Sequence, residues 1–105
     1  MDTQTRPIDL AAEALPRCFV LNERADVIMM CSAMPGQPIE PQFAPVGETL
    51  KLPSVLERAV DVLAQRCVLE RTTSVTARFG DFSVKVQLLR GSGTTRRAVI
   101  VDRAA

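Results

Sequence analysis

Among its 105 residues the chain has no histidine, no tryptophan and no tyrosine, and its only aromatics are four phenylalanines. Without imidazole, Ser-His and Cys-His nucleophile pairs are excluded, together with most zinc and haem arrangements. Cysteine is scarce as well. Cys18, Cys31 and Cys67 are odd in number and widely spaced, and they read as buried reduced thiols that pack as small hydrophobes. Neither sign of charge dominates: 13 Lys and Arg stand against 12 Asp and Glu, a net charge of +1. The basic residues are scattered, so no nucleic-acid footprint is visible. No apolar run is long enough to cross a bilayer, and Met1-Asp2-Thr3-Gln4-Thr5 lacks the basic and apolar regions of a secretory signal, so a cytoplasmic location is expected. No cofactor or metal site is expected either.

Apolar residues, by contrast, make up 47% of the chain, enough for a core of Val, Leu, Ile, Ala and Met. The length suits a single domain over 1–105, with a leading helix in 1–16 and a sheet with a connecting helix in 17–105. Ile8 to Leu15 (IDLAAEAL) predicts a short helix, with Asp9 in its first turn and Pro16 ending it. Leu52 to Arg66 predicts the long helix. Ser54 and Glu57 have the spacing of a capping box, and Val55, Leu56, Ala59, Val60 and Leu63 recur at helical intervals. Between Ala33 and Leu52 four prolines exclude a long helix and predict a loop pinned by Met34, Ile39, Phe43 and Val46.

Val75 to Leu88 spells a β-hairpin. Gly80-Asp81 forms the turn, with Phe79 facing Phe82, Ala77 facing Val84 and Val75 facing Val86 on the apolar side, and Arg78, Thr76 and Ser74 opposite Ser83, Lys85 and Gln87 on the wet side. A first hairpin joins Cys18–Leu21 to Val27–Cys31 through the polar Asn22–Asp26, which sets Cys18 opposite Cys31; directly paired strands and a reducing compartment both favour free thiols there. These two strands and Ala98–Val101 are apolar at consecutive positions and predict cover on both faces. The simplest sheet sets them beneath the leading helix on one side and the capped helix on the other. The third and fourth strands are expected over Val68–Phe79 and Phe82–Arg90.

The stretches CFVLNERADVIMMCSA, LPSVLERAVDVLA, ARFGDFSVKVQLL and RAVIVDR, in that order, resemble the PAS domain family along most of the chain. The resemblance implies an α+β fold, a five-stranded antiparallel sheet of order 2-1-5-4-3 with an N-terminal helix and one long connecting helix. It also implies a sensory and dimerisation module of a bacterial signalling protein or transcription regulator. Asp102, directly after the last expected strand, resembles the aspartate that opens the exit toward an output domain. The chain departs from the family in lacking Gly near Ala25 and Asn near Cys31. It also lacks the flavin-attaching cysteine motif, so flavin and haem sensing are not expected.

The expected ligand pocket lies between the sheet and the helix from Ser54 to Arg66, with Met29, Cys31, Phe43, Leu56, Ala59, Val60 and Leu63 around a small molecule. The expected homodimer face is the leading helix, through Ile8, Leu10, Ala11, Ala14 and Leu15. The alternative is a purely structural interaction or dimerisation domain with no ligand. The carboxylates Asp26, Glu40, Glu48 and Glu57 form no catalytic motif, and no enzyme activity is assigned.

Overall fold

Alternation with period two builds one sheet from about half of the chain. The structure is a computed structural model that describes residues 4–91 and 93–104. The first three residues of the expected leading segment 1–16, Ser92 of the Gly91–Thr95 turn and Ala105 lie outside the described residues. The strands are β1 (Gln4–Pro7), β2 (Arg17–Leu21), β3 (Asp26–Ser32), β4 (Gln42–Phe43), β5 (Glu48–Lys51), β6 (Ser74–Phe79), β7 (Phe82–Gly91) and β8 (Thr94–Arg103), with one α-helix, α1 (Ser54–Leu69). Their order is β1-β5-β3-β2-β8-β7-β6, with β4 paired to β3. β1 runs parallel to β5, and the other pairings are antiparallel.

This replaces the expected five-stranded sheet with an N-terminal helix and a long connecting helix. Among the described residues eight strands and a single α-helix form the fold, and the segment from Gln4 is a strand followed by a 3-10 turn at Leu10–Ala12. The reason lies in Ile8 and Leu10. Both are 7% exposed and belong to the main core, where they contribute more than an isolated two-turn helix could. The Ile8 amide donates to the Lys51 carbonyl at 2.7 Å, and Asp9 caps the 3-10 turn by accepting from the Ala11 amide at 3.0 Å.

The proline-rich stretch also forms strand rather than only loop. Prolines forbid a helix, yet they leave two to four extended residues free between them, and β4 and β5 occupy those gaps. Glu48 returns to the Pro45 carbonyl at 3.1 Å around Gly47, whose φ of +85° suits glycine alone. Met34, Ile39, Phe43 and Val46 do not pin this stretch, since all four are exposed.

Helix α1 presents Leu56, Val60, Leu63, Ala64 and Cys67 on one buried stripe at helical spacing. It starts two residues inside the expected Leu52–Arg66 span and ends three residues beyond it. Pro53 is the N-cap and Ser54 the first helical residue, so the expected capping box does not form. At the other end Val68 and Leu69 belong to the helix rather than to the third strand. Arg71 takes a left-handed φ of 54°, and the Thr72 amide reaches the Cys67 carbonyl at 3.0 Å, a closing turn of the kind that glycine usually makes.

The β6–β7 hairpin has the register read from its alternation, Phe79 opposite Phe82, Ala77 opposite Val84 and Val75 opposite Val86. Across the sheet Met30, Phe19, Val99, Val86 and Val75 form one row, and Val101, Val84 and Ala77 the next. These rows pack with α1 into the core, where Phe19, Val84, Val86, Val99 and Val101 are all 0% exposed. Between β2 and β3 the register steps from Val20 opposite Met29 to Leu21 opposite Val27, skipping Ile28, and so returns Val27 to the core side.

The first hairpin turns through Asn22, whose Oδ1 accepts from the amides of Arg24 at 2.9 Å and Asp26 at 3.0 Å. Ala25 carries a φ of 63° there. A Cβ in the left-handed region costs roughly 1–2 kcal/mol. Ala25→Gly should therefore stabilise the fold by about 1 kcal/mol after the extra freedom of the unfolded chain is deducted. The expected readout is a higher urea midpoint with an unchanged slope, and a lower midpoint would overturn it.

Candidate functional site

The face of the sheet opposite α1 is set by the other half of the alternation. Cys31, Cys18, Ile100, Lys85 and Thr76 form one row across β3, β2, β8, β7 and β6, and Met29, Val20, Ala98, Gln87 and Ser74 the next, with Phe43 beyond Met29. Among the described residues every strand belongs to this sheet, and α1 and the 3-10 turn both contribute to the core on the other side. No regular element therefore lies across this outer face. Its β3–β2–β8 part is apolar and half-buried to buried, its β7–β6 part polar, and Phe43 at its margin is 68% exposed.

Consecutive apolar residues in β2, β3 and β8 supply the α1-side core with one set of side chains and, with the other, a strip in which Val20 and Cys31 are 9% and 7% exposed and Cys18, Met29, Ala98 and Ile100 are partly open.

The expected pocket does not assemble, because the pleat divides its residues. Leu56, Val60 and Leu63 are 1–3% exposed and sit in the core against the inner valines. Met29 and Cys31 point to the other face, two positions apart on β3. Phe43 borders a depression of about 250 Å³ beside β3 and β5, and Ala59 borders another of about 320 Å³ with Val55, Arg58, Val62 and Phe79. The expected dimer residues are dispersed as well. Ile8 and Leu10 are core, Ala11 and Ala14 are exposed, and Leu15 is half-buried against the core. Asp102 lies within β8 opposite Ser83, rather than after the last strand.

A depression of about 600 Å³ that the sequence reading did not anticipate opens where α1 ends, between Cys67, Val68, Arg71, Thr72, Thr73, Leu88 and Arg90. Nothing in the linear pattern brings Arg71 and Arg90 together; the turn after α1 and the length of β7 do.

The carboxylates are spread apart. Asp26 pairs with Lys51 at 3.0 Å and Arg24 at 3.8 Å, and Glu48 with Arg6 at 3.3 Å. Glu57 is half-buried with one carboxylate oxygen sequestered from any hydrogen-bond partner, and Glu40 is exposed. Among the described residues no three His, Cys, Asp or Glu side chains gather as metal ligands.

The cysteines are free, and Cys18 stands directly opposite Cys31. Burial, reinforced by the facing Cys31 sulfur, pushes the Cys18 thiol up to about 11. Asp26 shifts the other way. Burial alone would raise its carboxyl, but hydrogen bonds from Lys51 and Asn22 and the charges of Lys51 and Arg24 hold it below the ordinary carboxylate range.

Comparison with models of known families, with curated proteins and with solved structures finds no match to this chain. Among the described residues no helix is long and apolar enough to cross a membrane.

Two measurements check this description. Because the folded carboxyl of Asp26 lies below its unfolded value, its contribution is complete above the unfolded range and lost as pH falls through the folded value. The stability gap between wild type and Asp26→Asn should be widest near neutral pH and close below about pH 4. A gap that widens on acidification contradicts the assignment. Leu63→Ala, at a side chain that fills the core rather than lining a ligand pocket, should cost about 2–5 kcal/mol in urea unfolding. A near-neutral effect would show that the space beneath α1 is not closely packed.

Proposed function

We propose that this domain is an interaction module that pairs two copies of the chain through the outer face of the sheet. The observation that carries the reading is the strip of Cys18, Val20, Met29, Cys31, Ala98 and Ile100, apolar and crossed by no regular element among the described residues. Cys18, Met29, Ala98 and Ile100 are partly open to solvent along it, and contiguous apolar surface exposed to water marks interaction sites. A second copy suits it because a two-fold axis normal to the strip would lay like on like, the usual geometry of homodimers. The polar β7–β6 side, with Lys85, Gln87 and Thr76, would then form the wet rim.

The setting we propose is a cytoplasmic signalling protein or transcription regulator in which the domain pairs subunits and another domain gives the output. The resemblance of the sequence to PAS domains supports that setting, and the fold adds nothing to it. Of the two functions the sequence suggests, pairing without a ligand is the better supported. Sensing would require a molecule between the sheet and α1, where Leu56, Val60 and Leu63 are packed at 1–3% exposure.

Light scattering tests the pairing. At high micromolar concentration the chain should show twice its 11.5 kDa mass, and Ile100→Glu should return it to the single-chain mass with little loss of thermal stability. A wild-type chain that stays at the single mass overturns the reading. So does an Ile100→Glu variant that is folded and still paired.

A further inference from the structure

The outer face gathers sulfur. Cys18 and Cys31 are direct partners across β2 and β3, and Met29 lies two residues from Cys31 on the same side of β3. The Cβ atoms of directly opposed residues in an antiparallel pair are roughly 4.5–5.5 Å apart, a span that two sulfurs can bridge through one ion. A methionine side chain is long and flexible enough to add its thioether from the adjacent position. The surroundings are apolar, with Val20, Ala98 and Ile100 as the neighbours in the sheet, and Cys18 and Met29 are partly open to solvent while Cys31 is 7% exposed. The chain has no histidine, and the carboxylate on this side of β8, Asp102, lies two residues beyond Ile100, where it accepts from the Arg103 amide at 2.8 Å.

We propose that Cys18, Cys31 and Met29 form a binding site for a soft monovalent metal ion, Cu(I) or Ag(I). Thiolate and thioether donors select such ions, whereas Zn(II) usually takes four N or S ligands and Ca(II) and Mg(II) take oxygen. On binding, each thiol releases its proton to solvent as its sulfur donates a lone pair to the ion, and Met29 adds a neutral sulfur. The ion keeps its charge, nothing is oxidised or reduced, and two protons leave for each ion bound. Below the thiol range the apparent affinity therefore rises about 100-fold per pH unit. Cys67 takes no part. It lies on the inner side, where its Sγ contacts the Val86 carbonyl at 3.8 Å. This site does not rest on the dimer reading.

The test is an anaerobic titration of the full chain with Cu(I) against a colorimetric Cu(I) chelator, accompanied by thermal melting with Ag(I). Wild type and Cys67→Ser should take up one ion per chain and melt higher with Ag(I). Cys18→Ser, at a partly exposed position that tolerates a hydroxyl, should lose the ion and the melting shift while keeping its circular dichroism spectrum. Met29→Leu should keep the stoichiometry and bind more weakly. The proposal fails if wild type cannot compete with the chelator, if folded Cys18→Ser binds like wild type, if Cys67→Ser abolishes binding, or if the affinity does not change with pH. Light scattering during the same titration separates this idea from dimerisation, because one ion per chain should be taken up whether the chain has the single or the double mass.

Discussion

The packing of α1 onto one face of the sheet is the constraint on which the other features depend. Phe19, Val84, Val86, Val99 and Val101 reach 0% exposure only because Leu56, Val60, Leu63 and Ala64 close over that side, with Ile8 and Leu10 completing the margin. Each fully buried aliphatic side chain is worth about 1.5–3 kcal/mol, so the helix stripe fixes which side of every strand is core. Once Phe19 faces inward, period two sends Cys18 and Val20 outward. Pairing then requires Cys31, Met29, Ile100 and Ala98 to follow them. The outer strip is a consequence of the core rather than a separate element.

Local patterns were legible where a single physical signal acted alone. The strict alternation around Gly80-Asp81 determines the β6–β7 register, and the polar Asn22–Asp26 segment between two apolar runs locates the first hairpin, in which the step past Ile28 sets Cys18 against Cys31. The spacing of Leu56, Val60 and Leu63 identified the body of α1. Its start was misread because Ser54 and Glu57 have the spacing of a capping box, while Pro53 with its fixed φ is pre-set for the position just before the helix. The N-terminal error has another origin. Alanine-rich IDLAAEAL has helical propensity, yet a short helix is marginal without packing, and the core takes Ile8 and Leu10 as the extended continuation of β1.

The site was less legible than the fold for a topological reason. Consecutive apolar residues in a strand show that both sides avoid water, but not what covers each side. In β2, β3 and β8 one side joins the core that α1 closes, and the other meets no helix or strand of the described chain. Met29 and Cys31 part from Leu56 and Val60 by the parity of Phe19 against Val20, which only the pairing with Val99 and Ala98 resolves. The short strands β4 and β5 were hidden for a simpler reason, since runs of two and four residues between prolines carry too little pattern to be recognised.

The proposed dimer and the proposed metal site occupy the same strip, and thermodynamics couples them. An ion held by Cys18 and Cys31 on an open face would carry two thiolates against one positive charge. A partner laid over the strip would take that net charge out of water, with Lys85 two strands away in the same row. Desolvating an imperfectly paired charge is costly, so the ion favours the separated chains. By reciprocity, pairing weakens the ion by the same factor. The raised thiol of Cys18 fits the unliganded side of this balance. A neutral pair of thiols suits burial against a second copy, and the charged pair suits an open face.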